Sequence, residues 1–162
     1  MATAFSESGI NWSAAARAGL VGGAAFLALD MVLVPLFSGG GSEPLRLIAA
    51  IVLGEKVLSP SATMSASVVL VALLVHMVLS TLYGLTISLI VHRTGIATAS
   101  LLGSIAGLGL YVLNFYVFTS VFPWFATERT WVTVLVHLVF GFVVAWSYTS
   151  MTPLAHQPSR TW

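Results

Sequence analysis

Cysteine is absent from the sequence, and charged residues make up only 7% of it. Without cysteine, disulfide bonds, thiolate metal sites and thiol redox chemistry are excluded. Six Lys and Arg residues nearly balance five Asp and Glu residues, so the net charge of +1 gives no electrostatic basis for binding nucleic acid. The sequence also contains no GxSxG and no HExxH motif, so neither a nucleophile elbow nor a zincin-type metal site is predicted.

Hydrophobic residues are abundant instead. They make up 58% of the 162 residues, and the mean hydropathy is +1.00. A soluble domain of this size cannot bury so many apolar side chains. Long apolar runs without strict alternation favour helices over a membrane barrel. The predicted fold class is therefore an all-α membrane protein, an up-down four-helix transmembrane bundle with a short interfacial helix between spans 1 and 2, and its first predicted partner is the lipid bilayer.

Four apolar runs are each close to the length needed to cross about 30 Å of hydrocarbon. The predicted spans are approximately residues 14–37, 65–91, 97–122 and 130–148, within a single transmembrane domain that covers residues 1–162. A glycine-rich, flexible break is predicted at residues 38–42.

The apolar segment at residues 43–54 is too short to cross. Pro44 is predicted in its first turn and Gly54 at its end. We expect it to lie in the membrane interface or over the mouth of the bundle, as a lid, as a docking surface for a partner or as a passive connector.

Each predicted span carries one polar residue that is seldom left facing lipid. These residues are Asp30, His76, Asn114 and His137. With a helical rise of about 1.5 Å per residue, they lie about 12, 16, 13 and 10 Å from the span ends on one face of the membrane. We therefore predict one shared polar layer under the longer links. In an up-down bundle, spans 2 and 4 lie on a diagonal, so the two histidines should face each other, and Asp30 and Asn114 should lie on the other diagonal.

Glycine stripes indicate which helix faces point inward. Gly19 and Gly23 share a stripe with Asp30, and small residues at this spacing let another backbone approach. Gly103 and Gly107 form a GxxxG pair in span 3. Both stripes should pack against neighbouring helices, and Asp30, whose charge costs about 2.5 to 3.5 kcal/mol inside a membrane, should have a partner there.

The polar layer has three open interpretations: a structural hydrogen-bond network, a metal or haem site, and a path for protons or a solute. In the first, the polar side chains bond to one another and fix the register of the helices. In the second, Asp30, His76 and His137 are ligands of a transition-metal ion, with Asn114 orienting a ligand.

A haem variant of the second interpretation uses only the two histidines. His76 and His137 on diagonal helices suit bis-imidazole ligation of haem b, and small residues such as Gly84 and Gly141 would make room for the ring.

The third interpretation is the movement of protons or a solute through the bundle. Asp30 and the histidines would change protonation in turn. Ser80, Tyr83 and Tyr111 are the candidate proton relay.

Several segments resemble those of a known group of proteins. They are residues 26–37 (FLALDMVLVPLF), 47–54 (LIAAIVLG), 114–116 (NFY), 122–125 (FPWF) and 136–141 (VHLVFG). The chain resembles small, uncharacterised four-span bacterial inner-membrane proteins over roughly residues 18–148, some of them labelled sodium:proline symporters. Such symporters have many more spans, with inverted repeats and discontinuous helices. The resemblance therefore implies a bacterial inner membrane and no particular chemistry.

The distribution of basic residues gives only a slight preference for orientation. One face of the membrane would carry Arg17, Arg93 and Arg160, and the other Arg46, Lys56 and Arg129. Lysine and arginine bias sets orientation, and here it is tied. The extra histidines on the first side favour both termini in the cytoplasm. We predict a non-enzymatic accessory or assembly subunit of a larger membrane-protein complex, or a homo-oligomer.

Overall fold

The computed structural model describes residues 9–37 and 43–153, so the predicted break at residues 38–42 lies outside the described residues. The regular elements in this part of the chain are helical. Its α-helices are α1 (Trp12–Phe37), α2 (Pro44–Leu53), α3 (Ala66–Val91), α4 (Ile96–Val112) and α5 (Trp131–Met151).

Four of the helical segments are long and apolar enough to cross a membrane. They are α1, α3, α5 and the continuous helical stretch Ile96–Ser120 that begins with α4. The protein is therefore a multi-pass membrane protein, and its long helices pack together as a four-helix bundle. The short helix α2 lies between the first two spans. The predicted fold class is confirmed.

Local side chains explain where the helices begin and end. The Ser65 hydroxyl accepts a hydrogen bond from the backbone N–H of Val68 and caps α3, and the Thr130 hydroxyl caps α5 through the N–H of Thr133. The predicted end of α2 at Gly54 is also confirmed. Gly54 has a φ of 77°, which suits a residue without a side chain.

The four spans do not pack equally. Helix α5 is the most buried and packs against α4 and α1, while α3 packs mainly against α1 and α2. The short turn between α3 and α4 predicts close antiparallel neighbours. These two helices do contact each other, but each packs more extensively against another helix. The packing of α3 against α4 is therefore looser than the packing of α4 against α5 or of α3 against α1.

Glycines allow the helix backbones to touch at two crossings. A Cβ atom on Gly19 would lie 2.6 Å from the Ser80 carbonyl oxygen, and one on Gly84 would collide with Gly19. Likewise, a Cβ atom on Gly103 or Gly107 would collide with the backbone of α5. Both predicted glycine stripes therefore pack against neighbouring helices, as small residues do in membrane bundles.

An apolar core fills the half of the bundle nearest the chain termini. It is built from buried small and branched side chains near the first turns of α1 and α4 and the last turns of α3 and α5. Its members include Ala15, Ala18, Ile87, Val91, Ala99, Val144, Ala145 and Tyr148. The polar residues of the four spans lie beyond this core, toward the opposite face.

We expect Gly107→Ala to destabilise the bundle. The added methyl group would meet the main chain of α5 at His137 and Gly141, which cannot move aside as a flexible side chain can. Overpacking of this kind costs about 1 to 3 kcal/mol, and the thermal unfolding midpoint in detergent should fall. Gly109→Ala is the matched control, because no atom lies within 4 Å of its added Cβ. Equal unfolding midpoints for the two variants would contradict the assigned crossing.

Candidate functional site

A cavity of about 190 Å³ lies inside the half of the bundle opposite the apolar core. Its wall includes Asp30 from α1, His76 from α3, Asn114 from the third span and His137 from α5. The structure therefore brings the four polar residues singled out in the sequence to one cavity. The wall also contains six phenylalanines: Phe26, Phe115, Phe118, Phe122, Phe125 and Phe140.

Helix α2 forms part of this wall through Pro44, Leu47, Ile48 and Ile51. The indole Nε1 of Trp124 donates a hydrogen bond to the Leu47 carbonyl oxygen at 3.1 Å. This bond joins α2 to the link that precedes α5. Helix α2 thus forms one wall of the cavity. The hydrogen bond from Trp124 attaches it to the link between the third span and α5.

A chain of hydrogen bonds crosses the bundle from α3 to α5. The Tyr83 hydroxyl donates to Oδ1 of Asn114 at 2.7 Å, and Nδ2 of Asn114 donates to Nε2 of His137 at 3.4 Å. Nδ1 of His137 in turn donates to the Thr133 carbonyl oxygen at 2.8 Å. Because the amide nitrogen can only donate and the carbonyl oxygen can only accept, this arrangement corresponds to a neutral His137 ring with its proton on Nδ1.

Asn114 lies in a π-helical turn, Leu113–Val117, that follows α4. Such turns are rare and occur frequently at functional sites. The carbonyl oxygen of Phe115, within the turn, accepts a hydrogen bond from Nε of Arg129 at 2.8 Å. The turn therefore also anchors the link to α5. Sequence reasoning missed it, because an apolar run has the same composition in an α-helix and in a π-turn.

His76 is held by the backbone of α1. Its Nε2 donates to the Gly23 carbonyl oxygen at 2.8 Å, and the Ser80 hydroxyl oxygen lies 3.4 Å from the same nitrogen. A Cβ atom on Gly23 would lie 2.6 Å from that hydroxyl oxygen. The absence of a side chain at Gly23 thus lets α1 and α3 approach closely enough for this bond.

The ring of Phe26 contacts both histidines. Its centroid lies 5.4 Å from that of His76 and 4.9 Å from that of His137. The sequence predicts that the two imidazoles face each other across the bundle but not that a ring of α1 packs against both. Phe26 lies one turn before Asp30 on the same face of α1, and this spacing could have indicated that its ring also points into the bundle.

The geometry gives no support to ligation of a metal or haem. Among the described residues, no three His, Cys, Asp or Glu side chains are grouped so that they could hold a metal ion. Both ring nitrogens of His137 already have hydrogen-bond partners. The space expected for a haem ring at Gly84 and Gly141 is filled by the backbones of neighbouring helices, so that expectation is wrong.

Asp30 does not bond to the other members of the predicted layer. Asp30 is only 7% exposed. Its carboxyl group takes part in no hydrogen bond among the described residues. Its electrostatic neighbour is the carboxyl group of Glu128, which lines the same cavity. The expectation that another member of the layer pairs with Asp30 is therefore not met.

Glu128 lines the cavity although it lies outside the predicted spans, between residues 122 and 130. It ends a 3-10 helix, Pro123–Glu128, and is also only 7% exposed. Its Oε1 accepts a hydrogen bond from the Thr127 hydroxyl at 3.3 Å. The available signal was its position two residues before Thr130, the cap of α5, which places it within one turn of the predicted span.

The candidate relay residues do not all reach the cavity. Ser80 and Tyr83 line it. Tyr111 is buried but is not among the lining residues, and its ring packs 5.8 Å from that of His137. The polar groups at the cavity therefore come mainly from α1, α3, the π-turn and α5.

Comparison with known protein families, with curated proteins and with solved structures gives no match for this chain. The fold and the site alone define its class. It is a small four-span membrane protein whose bundle contains a cavity with a polar and aromatic wall.

We expect His137 to occupy the Nδ1–H tautomer, because Nδ1 donates to a carbonyl oxygen and Nε2 accepts from an amide. Nitrogen-15 NMR of histidine-labelled protein in bilayers should show a protonated Nδ1 and an unprotonated Nε2. Asn114→Leu should remove this restraint and lower stability by about 1 kcal/mol, as membrane hydrogen bonds typically contribute. A ring protonated at Nε2 in the unmodified protein would contradict the assigned chain.

Proposed function

We propose that the protein is a non-enzymatic membrane protein that binds a small, largely apolar molecule inside its bundle. The observation that carries the proposal is the cavity of about 190 Å³ with an aromatic wall and a few polar groups from all four spans. Sites for small molecules are mostly apolar, contain a few placed polar groups and occur between the helices of bundles.

The size of the cavity supports this proposal. Protein interiors contain few voids larger than a water molecule, and an apolar cavity of about 150 Å³ binds benzene. A cavity of this size with six phenylalanines in its wall matches a ligand that contains one ring or a short alkyl chain. The ligand would be held by aromatic contacts and oriented by the polar end.

We propose further that the protein acts as an accessory or assembly component of a larger membrane complex, or as a homo-oligomer. Support comes from the outer faces of its helices, which carry exposed apolar side chains. On α2 these include Val52 at 64% exposed and Leu53, and this helix also borders the cavity. A partner that packs against α2 would therefore be coupled to occupancy of the cavity.

Proton or solute movement across the whole membrane is less favoured by the structure. Ser80 and Tyr83 extend the polar wall only within the cavity half of the bundle. The other half is packed mainly with alanine, valine and isoleucine side chains, and the hydroxyl groups of Ser88 and Ser147 buried there have no hydrogen-bond partner among the described residues. These isolated hydroxyl groups do not link the cavity to the last turns of α3 and α5 by hydrogen bonds.

The proposed setting is a bacterial inner membrane, with both termini in the cytoplasm and residues 1–162 forming one transmembrane domain. The resemblance to four-span bacterial proteins supports the membrane, and the histidines at the terminal side support the orientation. In this orientation the cavity lies in the outer half of the bilayer.

A neutral aromatic probe tests the proposed function. We expect purified protein in detergent to bind 2-phenylethanol at one site, measured by isothermal titration calorimetry. Leu79→Trp should abolish binding, because Leu79 lines the cavity and a larger ring would fill it. Leu82→Trp is the matched control, since Leu82 is 52% exposed on the outer face of the same helix.

The two tryptophan variants separate cavity binding from partition into the micelle. Equal heats for both variants and the unmodified protein would mean that the probe enters only the detergent and would refute the proposal. Loss of binding in Leu82→Trp as well as Leu79→Trp, with both variants folded, would also contradict the assigned site.

A further inference from the structure

We propose that Arg129 binds the phosphodiester group of an anionic phospholipid, at the membrane face that carries the link between the third span and α5. The contact is a pair of parallel hydrogen bonds from the outer edge of the guanidinium group, and an acyl chain of the same lipid lies along the third span. The site is on the outer surface of the bundle and is independent of the ligand proposed for the cavity.

One edge of the Arg129 guanidinium group is fixed by the protein. Nε donates a hydrogen bond to the Phe115 carbonyl oxygen at 2.8 Å, and Nη2 donates to the Thr119 hydroxyl oxygen at 3.1 Å. The group also lies over the ring of Tyr116, 4.5 Å from the ring centroid. These contacts come from the end of the third span and hold the group in one orientation. A side chain ordered in advance loses little freedom when it binds a further group.

The other edge of the guanidinium group is left for a ligand. The group has five N–H donors, and Nη1 takes part in no hydrogen bond among the described residues, where Arg129 is exposed. In the described part of the chain Arg46 forms a salt bridge with Glu43, and Arg129 forms none. A phosphate group matches the outer edge, because two parallel N–H donors reach two of its oxygens.

The depth of Arg129 corresponds to the level of lipid headgroups. Arg129 directly precedes Thr130, the cap of α5, and Thr119 lies in the last turn of the span Ile96–Ser120. The guanidinium group therefore lies where two spans end. Trp131, in the first turn of α5, is 59% exposed, and tryptophan is enriched at the boundary between membrane and water. A phospholipid in this leaflet places its phosphate at the same level.

An apolar stripe beside Arg129 offers a path for the acyl chain. Tyr116, Val112 and Leu108 are all exposed and follow one another at helical spacing along the third span. The stripe begins under the guanidinium group at Tyr116 and runs toward the middle of the membrane. A free phosphate ion would make no use of such a surface, so the stripe favours a lipid as the source of the phosphate.

The charge of the site selects the net charge of the headgroup. Basic groups at the membrane surface attract anionic lipids. A zwitterionic headgroup would bring a positive charge of its own close to Arg129. We therefore assign a headgroup with one net negative charge, as in phosphatidylglycerol.

Native mass spectrometry of the purified protein tests this assignment with two lipids that differ only in the headgroup. Phosphatidylglycerol is anionic, phosphatidylcholine is zwitterionic, and both are added in neutral detergent with the same acyl chains. We expect the first phosphatidylglycerol molecule to bind about tenfold more tightly than the first phosphatidylcholine molecule, as a hydrogen bond between charged groups would give. Excess inorganic phosphate should not displace it.

Substitution of Arg129 locates the preference. Arg129→Gln removes the charge and the paired donors, so the two lipids should bind equally. Arg93→Gln is the matched control, because Arg93 is an exposed arginine in the turn between α3 and α4, and this variant should keep the preference. Arg129→Lys keeps the charge but not the planar pair of donors, so the preference should fall to about threefold or less.

Each contrary result overturns a stated part of the proposal. Equal binding of the two lipids to the unmodified protein overturns it, as does a preference that persists in Arg129→Gln or is lost equally in Arg93→Gln. Displacement of the lipid by inorganic phosphate overturns the assignment of a lipid. A full preference in Arg129→Lys overturns the paired hydrogen bonds, and this variant decides the question if Arg129→Gln does not fold.

Discussion

Contact between helix backbones at glycine is the constraint on which the rest of the structure depends. Helices α1 and α3 meet where Gly19 faces Gly84, and α4 meets α5 where Gly103 and Gly107 face Gly141. Without a hydrophobic driving force inside lipid, such close packing is a main source of helix association. These crossings fix the rotation of each span. They thereby decide that one polar residue from each span reaches a common cavity instead of the lipid.

Much of this arrangement could be predicted from the sequence, because it follows from helical geometry. A rise of about 1.5 Å per residue places Asp30, His76, Asn114 and His137 at similar depth, and the glycine stripes indicate which faces point inward. The structure brings all four to one cavity. The end of α2 at Gly54 was equally accessible, because a positive φ after an apolar run is a local preference of glycine.

The remaining features depend on contacts between distant residues, which periodicity does not report. The π-turn at Asn114 changes hydrogen bonding over a few residues without changing composition. The burial of Glu128 depends on the path of a 3-10 helical link, and the position of Phe26 against both histidines depends on the packing of three helices. Consequently, the depth of the polar residues was predictable, whereas the position of a second acid, Glu128, near Asp30 was not.

The chain of hydrogen bonds from Tyr83 to Thr133 has a fixed polarity. Its last acceptor is a main-chain carbonyl oxygen, which can never donate, so the bonds cannot all reverse together. The other end of the hydrogen-bond chain is the Tyr83 hydroxyl, which lines the cavity. Its single hydrogen is donated to Asn114. The Tyr83 hydroxyl therefore presents lone pairs to the cavity, whereas the Nδ2 group of Asn114, which also lines it, keeps a second hydrogen. A bound molecule with both a donor and an acceptor would therefore be oriented by these two neighbouring groups.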